Sequence, residues 1–399
     1  MYLEIPVKDL KPILKKANSV VETRNLTPIL GNCLITTDSA NITVTTSDAE
    51  VEIIITSPLE EPNLDDSENG TCCLPAKKLL DIVNNLPANG HVKLNDAVGV
   101  ANDNRFKLTS GRSHFTLAGL PFDDFPTTPE FEEGINTLSL PQSILKMMLS
   151  NVAYAMAVND ARYYLNGAVL DIEKTSEGFE LSIVATDGHR LAATIEKENV
   201  EFIGESFDVK TDDDGNELNG IENVKIILPK KMVTLLIKAL SDKDDVVELK
   251  FDHNHVQVAI GNTIITSKLI NGNYPNWRAV IPNNNENVVI AKRELLLSAC
   301  SRALILSNEK FKGTRLTLSK DSLKVSCTNA NKEVSEVVID VDYQGDALEI
   351  GFNGDYLIEA ITACSLDSVE LRFSDANSSL LIVPRDQDDF KNVIMPMRL

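Results

Sequence analysis

A chain of 399 residues, 43% of them hydrophobic, is long enough for about two to three domains with cores of their own and is not disordered by composition. Its 59 acidic and 38 basic residues leave a net charge of −21, which repels nucleic acid at long range unless the basic residues are gathered on one surface. No apolar run approaches about 18 residues, and stretch 1–16 is broken by Lys8, Lys11, Lys15 and Lys16, so neither a membrane span nor a signal peptide is expected and the chain reads as cytoplasmic.

The first amphipathic segment runs on from Ile5-Pro6-Val7-Lys8-Asp9-Leu10. Leu10, Ile13, Leu14 and Ala17 recur at helical spacing, and Lys8, Lys11 and Lys15 fall at i, i+3 and i+7 on another face. Alternating Ile42-Thr43-Val44-Thr45-Thr46 reads as a strand, Ser47-Asp48-Ala49-Glu50 as a turn, Leu74-Pro75-Ala76-Lys77-Lys78-Leu79-Leu80 as a second helix and Val92-Lys93-Leu94 as a strand. An aromatic-proline linker, Leu120-Pro121-Phe122-Asp123-Asp124-Phe125-Pro126, closes this unit.

The order then returns. Leu140-Pro141-Gln142-Ser143-Ile144-Leu145 opens a helix with Ile144, Met147, Met148 and Val152 on its apolar side. Proline in the first turn suits this start and the first one, because that amide has no helical partner. Strand Leu181-Ser182-Ile183-Val184-Ala185, turn Thr186-Asp187-Gly188-His189-Arg190, helix Leu228-Pro229-Lys230-Lys231-Met232-Val233 and strand Val247-Glu248-Leu249-Lys250-Phe251 follow, up to the linker Asn273-Tyr274-Pro275-Asn276-Trp277. The third round starts at Ile290-Ala291-Lys292-Arg293-Glu294-Leu295. It continues through Leu323-Lys324-Val325-Ser326-Cys327, Thr328-Asn329-Ala330-Asn331, the helix from Phe352-Asn353-Gly354-Asp355-Tyr356 and Val369-Glu370-Leu371-Arg372-Phe373. Helix, strands, helix, strands, three times over, predicts three similar α+β domains, 1–126, 138–272 and 273–399. Their sheets are largely antiparallel, because most connections are short.

The helical windows 5–20, 75–85, 141–158, 229–240 and 291–303 are each net basic, with Lys231 and Lys238 sharing a face of the fourth; only 353–364 is net acidic. Lysine is a good helix former and usually just solvates a helix face. Basic helices in an acidic protein also fit a surface that follows DNA phosphates without reading bases.

The six cysteines, Cys33, Cys72, Cys73, Cys300, Cys327 and Cys364, form no C-x-x-C pair and no zinc spacing, and neighbouring Cys72 and Cys73 make a poor disulfide, so reduced thiols are expected. His253 and His255 fit alternate strand residues at a hairpin better than a two-nitrogen metal site. Asp212-Asp213-Asp214-Gly215 suggests a calcium loop, but Lys210 and Ile221 stand where its first and last carboxylates belong. Asp187 and His189 could serve acid–base chemistry, yet no nucleophile partners them in sequence.

Thr186-Asp187-Gly188-His189-Arg190-Leu191-Ala192 is similar to the signature of the bacterial β sliding clamps, the β subunits of DNA polymerase III. Arg162-Tyr163-Tyr164-Leu165-Asn166-Gly167, Ile305-Leu306-Ser307-Asn308-Glu309-Lys310-Phe311 and the ending Met395-Pro396-Met397-Arg398-Leu399 resemble further segments of that family. The resemblance runs along essentially the whole chain. It implies a DNA clamp fold: three repeated domains, each with two helices packed on antiparallel sheets, closing into a ring as a head-to-tail homodimer with helices inside. It implies a DNA polymerase processivity factor with no catalytic site, metal or cofactor. The implied partners are double-stranded DNA held topologically, a second copy of the chain, the clamp loader, the replicative polymerase's catalytic subunit, mismatch-repair proteins and other proteins with clamp-binding motifs, all in the cytoplasm at the nucleoid.

Carried over residue by residue, the family's partner-peptide groove falls on Leu165, Thr186, Gly188, His189, Arg190, Leu191, Pro275, Val280, Tyr356, Ser379, Val393, Met395, Pro396, Met397 and Arg398. Methionine-rich apolar surface adapts to several peptides, and a few polar groups orient them. Ala279 departs from the family, which has arginine there. DNA-facing positions are Arg24, Asn159, where the family has glutamine, Tyr163 and Tyr164, beside Lys8, Lys11 and Lys15. The dimer contact would bring Phe115 and Leu117 against Ile305 and Leu306. Acidic stretches 60–70 and 205–222 read as solvated insertions. Two other readings are a hydrolase-type enzyme using Asp187 and His189, and a repeat-built interaction scaffold that never meets DNA. Against the enzyme stands the lack of a phosphate-binding glycine loop, a metal cluster and a nucleophile elbow.

Overall fold

The computed structural model describes residues 2–22, 27–60, 69–96, 104–128, 135–204, 210–211, 217–218 and 223–398, and in it the segments expected to open each repeat as helices begin as strands. The helices are α1 (Val7–Ala17), α2 (Ala76–Asn84), α3 (Gln142–Val152), α4 (Lys230–Ala239), α5 (Arg293–Leu304) and α6 (Gly354–Ala363). Each follows directly on a strand: Tyr2–Pro6, Gly70–Pro75, Asn136–Pro141, Asn223–Pro229, Asn287–Lys292 and Leu348–Asn353. Pro6 and Pro141 therefore stand at the N-cap rather than in the first turn, where the sequence reading put them, and Pro75 and Pro229 also stand at N-caps. Proline cannot donate to a ladder, and its fixed φ suits both a strand's last residue and the residue before a helix. The sixth helix lacks a proline, and there the Asn353 side chain accepts from the Asp355 and Tyr356 amides at 2.9 and 3.4 Å.

The chain divides into two units, Met1–Thr137 with Val247–Lys268, and Leu138–Val246 with Leu269–Leu399. In the first, Thr263–Lys268 pairs antiparallel with Val51–Pro58, from Thr263↔Ile55 to Ser267↔Val51, so this hairpin of the second sequence repeat completes a sheet of the first. Sheet order continues through Asn41–Ser47, Asn32–Thr37 and Gly70–Pro75, and a second, four-stranded sheet runs Tyr2–Pro6, His91–Asp96, Arg105–Ser110, Ser113–Ala118. α1 packs on α2 and buries Leu10, Ile13, Leu14 and Ala17 as the periodicity predicts, leaving Lys8, Lys11, Lys15 and Lys16 exposed.

The second unit holds an eight-stranded antiparallel sheet in the order Asn223–Pro229, Gly167–Thr175, Gly178–Thr186, Arg190–Glu196, Phe390–Ile394, Leu380–Pro384, Ser368–Phe373, Asn287–Lys292. A four-stranded sheet runs Val334–Asp340, Ser322–Thr328, Gly313–Ser319, Leu348–Asn353. α3 packs on α4 and α5 on α6. On α3 the buried face is Leu145, Met148, Leu149 and Val152; Ile144 is half-buried and Met147 exposed, a rotation from the predicted face. Contact with Gly178–Thr186 and Arg190–Glu196 sets that face, and the apolar residues at 144, 145, 147, 148 and 149 leave the sequence pattern open to either choice.

All six cysteines are buried free thiols. Among the described residues no helix is long and apolar enough to cross a membrane. The Asp212–Asp214 turn and most of 60–70 and 205–222 lie outside the described residues.

One buried acid stands apart. Glu52 is 6% exposed and accepts from the Thr128 amide at 3.4 Å. Burial raises its carboxyl above the usual value, against the lowering by Thr128. The folded state thus holds this proton to higher pH than the unfolded chain does. That contribution to stability is complete below the unfolded value and is lost as pH rises through the folded one, so ionised Glu52 costs stability at neutral pH. Glu52→Gln should raise the melting temperature at pH 7 by about 2 °C. The gain should vanish below the ordinary carboxylate value of 4.5, as calorimetry across pH would record.

Candidate functional site

The pairing of Arg190–Glu196 with Phe390–Ile394, in the register Arg190↔Ile394, Leu191↔Val393 through Thr194↔Phe390, lays the 186–190 turn beside the C-terminal tail. The turn is built from its own side chains. Thr186 Oγ1 donates to the Arg190 carbonyl at 2.6 Å and accepts from the Gly188 amide at 3.1 Å. Asp187 Oδ1 accepts from the His189 and Arg190 amides at 2.9 and 3.1 Å, as acidic turn residues commonly do. Gly188 has φ +89°, and a Cβ there would meet the Arg162 guanidinium at 2.9 Å. Asp187 is thereby committed to structure, and His189 is left as an exposed side chain at the rim.

Arg190 is the centre of the site. Its Nε donates to Asp187 Oδ2 at 3.1 Å, one terminal nitrogen donates to the Glu359 carboxylate, and Nη2 donates to the Tyr154 carbonyl at 2.7 Å. The guanidinium lies over the rings of Tyr356 and Tyr154, 4.3 and 5.1 Å from their centroids. Burial pushes the Tyr154 phenol upward, opposed by the Arg190 charge, and that phenol bonds to buried Asn392 in the Phe390–Ile394 strand. Glu359 belongs to α6, so the acidity of that one helix supplies the counter-ion for Arg190.

The tail beyond Ile394 is stitched to both sheets. The Met395 amide donates to the His189 carbonyl at 2.9 Å, and the Met397 amide donates to the Gly351 carbonyl at 2.8 Å. Of the positions expected to form the groove, Leu165, Leu191 and Val393 are buried. Thr186, Arg190, Val280, Tyr356, Ser379, Pro396 and Met397 are half-buried, and Gly188, His189, Pro275, Met395 and Arg398 are exposed. Leu191, Val393 and the packed Val280 share one apolar cluster with Val169, Val184, Trp277 and Tyr274. A cleft of about 620 Å³ lies on the four-stranded sheet of this unit, with Phe311, Arg315 and Lys324 in its wall; it shares only Met397 and Arg398 with the groove positions.

The sequence reading placed Trp277 only as the end of a linker, and it singled out neither Arg278 nor the acid that holds both. Trp277 Nε1 and Arg278 Nη1 both donate to Asp171 Oδ2 at 3.0 Å. The available signal was Asp171 itself, a lone acid within Val169-Leu170-Asp171-Ile172, since a buried carboxylate needs partners.

Of the DNA-facing positions, Arg24 lies outside the described residues. Lys11 and Lys15 are exposed, and Lys8 pairs with Glu60 at 2.9 Å. In the second unit Asn159 is exposed with φ +54°, and exposed Tyr163 meets half-buried Tyr164 edge to face at 5.9 Å. Their loop is tied by Asp160, whose carboxyl the Arg162 guanidinium holds down at about 2. Of the dimer positions, Ile305 is 76% exposed, Leu306 and Phe115 are half-buried and Leu117 is buried. Among the described residues no three His, Cys, Asp or Glu side chains are grouped to hold a metal ion.

Because Arg190 is nearly buried among two carboxylates and two rings, Arg190→Ala should destabilise the second unit by about 2–3 kcal/mol. Arg190→Lys should recover less than half of that, since a lysine cannot span three acceptors while stacking. Urea midpoints of the three proteins measure both.

Three family models match along the chain: the DNA polymerase III beta subunit N-terminal domain over 1–129, its central domain over 139–205 and 206–276, and its C-terminal domain over 278–398. The beta sliding clamp of Pseudomonas putida is 36% identical over 98% of this chain and 97% of its own, and that of Escherichia coli is 34% identical over the same shares. Among solved structures, a DnaN sliding clamp from Pseudomonas aeruginosa bound to griselimycin superposes with a TM-score of 0.87 at 34% identity, covering all of both chains. One from Bartonella birtlesii, also bound to griselimycin, gives 0.88 at 28% identity, again with full coverage. The chain belongs to the DNA polymerase III beta subunit family, the sliding clamps, which are non-catalytic processivity factors with the DNA clamp fold.

Proposed function

We propose that two copies of the chain close head to tail into a ring around duplex DNA, in the cytoplasm at the nucleoid. The repeats 1–126, 138–272 and 273–399 each supply one domain of that ring. The observation that carries this reading is the end-to-end match to the beta-subunit family, three models in consecutive order. The exposed lysine face of α1 supports it, because Lys8, Lys11 and Lys15 lie opposite a buried apolar face in an otherwise acidic chain. Phosphate contacts carry no sequence information, and a diffuse electrostatic attraction of this kind lets a protein slide along the duplex.

A head-to-tail contact joins two different surfaces and closes only when its rotation fits a ring. Two sheet edges suit that role. Ser113–Ala118, which carries Phe115, ends the four-stranded sheet of the first unit. Val334–Asp340, with Val334 56% and Val338 61% exposed, ends that of the second. Exposed apolar edge strands invite pairing with another chain.

The groove around Arg190, with Leu165, Leu191 and Val393 as floor and His189, Pro275, Val280, Tyr356, Ser379 and the Met395–Arg398 tail as rim, takes a short apolar peptide segment. The clamp loader, the replicative polymerase's catalytic subunit, mismatch-repair proteins and other proteins with clamp-binding motifs would share it in turn. Griselimycin, the ligand of the Pseudomonas aeruginosa clamp, is the natural probe.

Loaded by its cognate ATP-driven loader and washed with high salt, the protein should stay on circular plasmid and leave linear plasmid. Electrostatic binding alone would collapse on both, and equal release from both, with an active loader, would remove topology from the mechanism. Ile305→Asp should turn a particle of about twice 43.8 kDa into a monomer by light scattering. A wild-type chain that stays monomeric at every concentration would count against the ring.

A further inference from the structure

We propose that Asp171 is a positioning residue for the groove: it anchors the linker that forms one wall, and its polar partners are Asn223, Lys225, Trp277 and Arg278. The inference rests on the groove reading above. The linker crosses one face of the eight-stranded sheet, where Tyr274, Trp277, Val280 and Ile281 pack on the apolar cluster of Val169, Val184 and Leu191. Apolar packing alone permits sliding, since it has no preferred direction. What fixes the segment is a fully buried carboxylate, Asp171, whose Oδ2 accepts from both Trp277 Nε1 and Arg278 Nη1 at 3.0 Å.

The neighbours complete the anchor. Lys225 Nζ stands 3.3 Å from Asp171 Oδ2, and Asn223 donates to Oδ1 at 3.2 Å. Arg278 also meets Glu173 at 3.1 Å and Glu180 at 3.3 Å, while its guanidinium lies 4.1 Å from the Trp277 ring centroid. Trp277–Val280 is a single 3₁₀ turn, so Val280 is carried by the anchored residues, and Pro275 lies two positions before them. A buried ion pair is a weak device for stability but a good one for holding one arrangement among several. The same bonds give Ala279 a consequence. Arg278 is committed to three carboxylates, so it does not stand in for the arginine missing next to it.

Trp277 is the chain's one tryptophan and is buried, so its fluorescence reports linker seating directly. Asp171→Asn keeps the side chain's shape and removes its charge; griselimycin affinity should fall about tenfold, the scale of one charged hydrogen-bonded anchor. Emission of the free variant should shift to the red and return at saturating griselimycin. Arg278→Gln, at a half-exposed position, should do the same and serves if Asp171→Asn does not fold. Ile172→Val, on the opposite face of the same strand, should lower the melting temperature and leave affinity and emission unchanged. If Asp171→Asn and Arg278→Gln bind as wild type with unshifted emission, or lose affinity only in proportion to the unfolded fraction, the anchor is purely structural and the inference is overturned. Failure of the wild-type chain to bind griselimycin would instead overturn the groove reading, and the inference with it.

Discussion

The five-residue ladder between Arg190–Glu196 and Phe390–Ile394 is the contact on which the rest of the site depends. It joins strands drawn from the second and third sequence repeats into one sheet, and its register decides what faces outward. Leu191 opposite Val393 puts both into the apolar cluster beneath the linker. A one-residue slip of the Phe390–Ile394 strand would turn Val393 to the opposite face and put a neighbour such as Asn392 beside Leu191, because side chains alternate along a strand. The tail continues the ladder into His189 and then crosses to Gly351. Backbone pairing thus brings the 186–190 turn and the 395–398 tail together.

Arg190 then makes that assembly specific. Its position at the start of the ladder lets one guanidinium reach the turn through Asp187, α6 through Glu359 and the residues after α3 through the Tyr154 carbonyl. Planarity matters as much as charge, since the group bonds in its plane and stacks on Tyr356 above it. Asp187 and His189, the pair that invited a catalytic reading, are explained by the same geometry. The carboxylate closes an Asx turn and pairs with Arg190, and the imidazole of His189 is exposed.

How legible this was depended on the range of the interaction. The buried face of α1 could be read from Leu10, Ile13, Leu14 and Ala17, because lysines mark its other side. The buried face of α3 could not, since Ile144, Leu145, Met147, Met148 and Leu149 are all apolar and only packing selects among them. The strands before each helix were missed for a related reason. Ile5-Pro6 and Leu140-Pro141 look like helix starts locally, and they are strand ends only because a partner strand lies alongside: Pro6, for instance, registers with His91. The groove positions were carried by family likeness, whereas Asp171, Trp277 and Arg278 form a contact across about a hundred positions that no local pattern encodes.

The net charge of −21 and the lysine face of α1 are consistent with one requirement in the reading proposed above. A protein retained by topology gains nothing from tight binding to its track, because each strong phosphate contact must be broken at every step along it. A chain that repels the duplex overall and offers it only a narrow basic face keeps those contacts weak. The pairing of Lys8 with Glu60 acts in the same direction, since a carboxylate already holds the cation that a phosphate would approach. By the same logic specific, desolvated binding belongs at the groove, where apolar floor and Arg190 lie together, and not on the lysine face.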